Sequence, residues 1–172
     1  MLRLCASIEA LLDRLGGLLL AAALLVVLGE FAIVVLRYGL DWSRPWLQEL
    51  VLASNAVLFL LGAAYTLRHD EHVRVDLLSR RCEPRTQGLL ELIGVLLFLL
   101  PFQLFLLWVS VPYAWRSWLM GEGSSQQSGL PAVYLVKALI PLAALLLLLA
   151  GLARGLRAFA AWRSDGAHGS AA

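Results

Sequence analysis

Four apolar stretches, residues 16–37, 46–67, 88–112 and 132–154, dominate this chain and leave it few ways to fold. Each reaches the ~20 residues that a helix rising about 1.5 Å per residue needs to cross a hydrocarbon layer about 30 Å thick. The first contains one acid, Glu30; the second has no charge between Leu50 and Leu67; the third is uncharged after Glu91; the fourth carries Lys137 near its start. Lipid cannot satisfy an open sheet edge, and none of the stretches shows the roughly ten-residue alternating segments of barrel strands, so each is expected to be a helix. The predicted fold class is an all-α membrane protein with four transmembrane helices.

Composition supports that reading. Of the 172 residues, 60% are hydrophobic and 15% charged, with a mean hydropathy of +0.79, against roughly 45–50% and about 25% in soluble domains. A chain this short has too little interior to hide so many apolar side chains, so lipid must cover them. The net charge of +2 comes from basic residues scattered along linkers, which gives no footprint for nucleic acid. Cys5 and Cys82 fit no zinc or redox spacing.

Residues 1–15 place Leu4, Ile8, Leu11, Leu12 and Leu15 at helical intervals, with Arg3, Glu9 and Asp13 mostly opposite. They predict a short amphipathic helix in the membrane interface, preceding a transmembrane domain over 16–157. A cleaved signal peptide fits less well, because the lead-in contains acids and the apolar run is too long. Residues 158–172 are expected to form a flexible tail. Pro101, Pro112 and Pro141 are expected to bend their helices.

Ten of the 14 basic residues fall in the amino-terminal segment, the linker holding Arg68, Arg74, Arg80, Arg81 and Arg85, and the tail. Arg37, Arg44, Arg116 and Lys137 fall on the other side. The positive-inside rule then puts both termini and the Arg68 to Arg85 linker in the cytoplasm, with residues 120–131 facing outward. Trp42, Trp46, Trp108, Trp115, Trp118 and Trp162 sit at predicted span ends, where indole rings favour the headgroup level.

An ionisable group within a span is a functional candidate by default, and Glu30 lies deepest. No second deep carboxylate or histidine extends a proton path from it, which favours a structural role. Ser54, Asn55 and Gln103 read as interhelical hydrogen-bond partners. Glu49, one turn into the second span, reads either as a helix-start acid or as a contact to another chain. Lys137 can snorkel to the headgroups. His69 and His72 lie among acids, but no third ligand is spaced to complete a metal site, and no histidine lies within a span to hold haem. Gly151 and Gly155 form a GxxxG pair that permits close helix approach. There is no nucleophile elbow, P-loop or carboxylate pair, so neither enzymatic activity nor a cofactor is expected.

Trp46-Leu-Gln-Glu49, Gly62, His72-Val-Arg-Val-Asp76, and the loop from Glu122 to Pro131 followed by Lys137 and Pro141 together carry a resemblance. The chain resembles the small permease subunit of tripartite ATP-independent periplasmic (TRAP) transporters, the DctQ-like family. The resemblance implies a large permease partner holding the sodium and substrate sites, and a periplasmic solute-binding protein that delivers an organic acid. It also implies a scaffold role for the small subunit, with Trp46, Glu49, His72, Arg74 and Asp76 as the family-typical positions. Two other classes stay open on the residues alone: a four-helix quinone or haem redox subunit, and a self-sufficient small channel or exporter gated at Glu30.

Overall fold

The computed structural model describes residues 2–68 and 84–168, which contain helices and connecting loops but no strand. The elements are α1 (Leu2–Gly39), α2 (Pro45–Arg68), α3 (Pro84–Ile93), a π-helical segment (Gly94–Leu99), α4 (Leu100–Met120) and α5 (Val133–His168). Within them Leu15–Gly39, Pro45–Leu67, Gly88–Met120 and Val133–Arg157 are long and apolar enough to cross a membrane. The all-α, four-span expectation therefore holds.

Three boundaries differ from the sequence reading. The amino-terminal stretch is helical but continuous with the first span, with no break near Leu15. The third span continues to Met120 instead of ending at Pro112, which lies inside α4. A proline removes one backbone hydrogen bond, and the apolar and tryptophan-rich residues after it still favour burial in lipid as helix. At the carboxy end, α5 continues to His168, through residues expected to form a tail. Residues 158–168 hold four alanines, the strongest helix former, and no proline.

The loop at residues 40–44 is short, so α1 and α2 run antiparallel and pack together. On α1, Leu19, Ala22, Val26, Gly29, Ile33 and Leu36 recur at alternating steps of three and four and form the buried or half-buried edge. Such a seam is the pattern of left-handed helix pairs. Gly29 lets α2 come close: a methyl group there would meet Val51 Cγ2 at 2.5 Å.

The fourth span is the hub, touching α1, α2, α3, the π segment and α4. Its Ala143, Leu146 and Ala150 join Leu19, Leu61, Ala64 and Leu67 in the core. On another side Gly151 and Gly155 receive Leu99 and Val95 of the π segment, so the GxxxG pair is used within the chain. The wide turn has a cause in the sequence. Pro101 has no N–H to offer the Leu97 carbonyl and its ring crowds that oxygen. The backbone widens just before it, with the Leu100 N–H donating to the Val95 carbonyl five residues back.

Candidate functional site

Four helix ends meet at the side of the bundle that carries the 40–44 and 121–132 loops. Gly121 closes α4 in the left-handed conformation at φ 58°, with its N–H bonded to the carbonyls of Ser117 and Trp118. Glu122 then donates its N–H to the Ser117 carbonyl at 3.1 Å. Only a residue without Cβ adopts that cap cheaply. The glycine therefore decides where Glu122 emerges.

The loop closes on itself through the Ser124 N–H, which donates to the Leu130 carbonyl at 2.9 Å. Glu49 of α2 grips both sides of that closure. One carboxylate oxygen accepts the Ser124 hydroxyl, and the other accepts the Leu130 N–H at 2.5 Å. A single side chain thus ties a loop to a helix some 75 to 81 residues earlier in the chain. Gly129 leaves room for this clasp, since a Cβ there would overlap Ser124 and come within 2.9 Å of Glu49 Oε1. Gly123 lies against Pro131, which would be 3.5 Å from a methyl at that glycine.

Beside the clasp lies a second junction. Lys137 Nζ of α5 pairs with Glu122 Oε2 at 2.5 Å, and the same oxygen accepts the buried Ser117 hydroxyl at 2.6 Å. The ammonium also sits 4.7 Å from the centre of the Tyr113 ring, within cation–π range. Trp118 and Tyr134 cross edge to face with centroids 4.9 Å apart, binding the end of α4 to the start of α5. The Lys137 hydrogen bond, and then that of Ser117, hold the Glu122 carboxyl below the ordinary 4.5.

A depressed carboxylate favours the folded loop above its unfolded value, and that contribution is lost as pH falls through the folded one. The carboxyl ¹³C resonance of Glu122 is therefore expected to titrate below 4.5, the ordinary value. In Lys137→Met the midpoint should move upward. A midpoint at or above the ordinary value in the unaltered protein would contradict this pairing.

Between the two junctions opens a cavity of about 320 Å³, with Leu52, Ala53, Val133 and Val136 on its apolar side and Glu49, Glu122 and Ser124 on its polar side. Both carboxylates are already hydrogen-bonded. The arrangement holds backbone in place, each carboxylate beside the space being engaged by the loop, by Ser117 or by Lys137.

The structure brings together Glu49, Glu122 and Lys137, with Pro131 closing the loop before α5 and exposed Trp46 one turn before Glu49. Lys137, expected as a headgroup anchor, is an ion-pair partner, and Glu49 serves the chain's own loop. Ser117 and Ser124 were not anticipated, because a serine in a polar loop or among tryptophans carries no signal of its own. His72, Arg74 and Asp76 lie outside the described residues.

The deep polar residues do not converge. Glu30 is exposed on α1, Asn55 is half-buried on α2, and Gln103 is buried on α4 with its Oε1 unpartnered among the described residues. Ser54 bonds the Leu50 carbonyl of its own helix at 2.9 Å, not a neighbouring helix. A serine can satisfy itself against the preceding turn.

The family model of the DctQ component of tripartite ATP-independent periplasmic transporters matches residues 26–161. No curated protein and no solved structure matches the chain.

Proposed function

This chain belongs to the DctQ component family of tripartite ATP-independent periplasmic transporters, and on that premise we propose that it is the small membrane subunit bracing a large permease. The large subunit carries out sodium-coupled uptake of an organic acid that a periplasmic binding protein delivers. The small subunit sits multi-pass in the bacterial inner membrane with both termini cytoplasmic, as its arginine distribution favours. The clasped 121–132 loop then faces the periplasm, a fixed edge beside the path of the binding protein.

One observation supports this division of labour above the others. A secondary transporter gathers polar side chains and broken helix ends around a site near mid-membrane. Here Glu30, Asn55 and Gln103 lie on three different helices, Glu30 is exposed on the outer surface, and none of the three lines the cavity beside Glu49 and Glu122. The polar groups that do converge lie at helix ends and hold a loop.

Reconstitution tests the proposal. Liposomes holding the purified chain alone are expected to show no sodium-driven uptake of a panel of organic acids above that of empty vesicles. Adding the large permease and the binding protein should restore it. Robust uptake by the chain alone would overturn the proposal.

A further inference from the structure

Glu30 is the residue that the fold leaves unexplained. It lies nine residues from the end of the Leu15–Gly39 span, ~14 Å along the helix axis at about 1.5 Å per residue. A glutamate side chain is too short to snorkel that distance to the headgroups. The buried edge of α1 points elsewhere, with neighbouring Gly29 turned to Val51. Glu30 is exposed and makes no hydrogen bond or ion pair among the described residues. Around it Val27, Phe31 and Val34 are 67%, 69% and 50% exposed. The result is a mid-depth carboxyl group on an otherwise apolar outer surface, facing a medium that offers no hydrogen-bond donor.

Resting on the TRAP reading above, we infer that the outward face of α1 around Glu30 is where a transmembrane helix of the large permease docks. That helix brings a hydrogen-bond donor or a cation to the Glu30 carboxyl group. Charge complementarity selects this face and this occupant. The other long unpartnered surface, on the third span, exposes Phe98, Phe102 and Phe105 at 57–70% with no polar group among them, and lipid tails satisfy it fully. Lipid cannot do the same for Glu30. A second copy of this chain would bring another acid to the same place, and two carboxyl groups meet well only when they share a proton.

Co-expression with the large permease tests the assignment. A photo-crosslinking residue placed at Val27 or Val34 is expected to join the large subunit, with about tenfold less product from the same residue at Phe105. Glu30→Lys should cut the co-purified large subunit by about tenfold, while Glu30→Gln, which keeps the shape and an acceptor, should cut it less. Crosslinks from Phe105 but not from α1 would overturn the docking face while leaving the TRAP reading intact. So would a product at twice the 18.8 kDa chain mass, or crosslinks from none of the three positions in an intact complex. Full retention of the large subunit by both Glu30 variants would overturn the role of the carboxyl group. If no large subunit co-purifies even with the unaltered chain, the TRAP reading itself fails.

Discussion

Gly129→Val is expected to open the 121–132 loop and raise the rate at which a glutamate-specific protease cuts after Glu122 by about tenfold in detergent, since local opening controls such cleavage. The reason is crowding at a point that cannot yield. A Cβ at this position overlaps Ser124 at both its hydroxyl and its Cβ and stands 2.9 Å from Glu49 Oε1. The Ser124 Cβ is one bond from the backbone, so relief requires moving the loop itself. Glu49→Ala should produce a similar rate by another route, leaving the Leu130 N–H and the Ser124 hydroxyl without their acceptor. Because both changes break one junction, the double variant should be cut no faster than either single one. Rates within twofold of the unaltered protein would show that Glu49 does not hold the loop.

Gly29→Leu is expected to be the most damaging single change within the helical core. Even a methyl group at Gly29 would overlap Val51, which is 2% exposed and so buried. Valine is stiff at χ1 and cannot swing aside as a leucine tip can. Inserting carbon into such a contact costs about 1–3 kcal/mol for small additions and more for a whole leucine. Removing glycine from a helix interior returns up to ~1 kcal/mol, which is too little to compensate. Gly151→Ala makes the contrast, since its new methyl meets chiefly the terminal Cδ atoms of Leu99, which can rotate. There the two terms are of similar size. Thermal unfolding followed by circular dichroism in detergent should therefore show a large fall in midpoint for Gly29→Leu and little change for Gly151→Ala. Equal falls would remove the distinction between a stiff neighbour and a flexible one.

How much of this was legible beforehand depends on range along the chain. Span number and approximate position follow from composition within a window of about 20 residues, which any apolar helix must satisfy. The GxxxG pair and the prolines were visible as local patterns. That Glu49 and Lys137 matter could be suspected from an acid and a base near span ends. Their partners could not, because the contact between Glu49 and Leu130 joins residues 81 positions apart and leaves no periodic trace. The outward aim of Glu30 was within reach, since the seam through Ala22, Val26, Gly29 and Ile33 excludes it. The third span overruns its expected end at residue 112 for a physical reason: lipid makes ending a helix at Pro112 more expensive than continuing it through the proline.

The π segment matters beyond its contact with the two glycines. One wide turn holds Val95, Leu99 and Gln103, spaced four apart, on the same side of the third span, where an unbroken α-helix would let them drift by roughly 80° over eight residues. The turn works as a vernier between two segments whose faces would otherwise fall out of phase. Straightening the turn at unchanged length would swing everything beyond it by about 80°, carrying the phenylalanines and tryptophans off their present heading, whereas deleting one residue there would restore ordinary pitch and leave that heading within about 20°. The wide turn therefore takes up one residue of length that straight pitch could not absorb without turning the end of the span away.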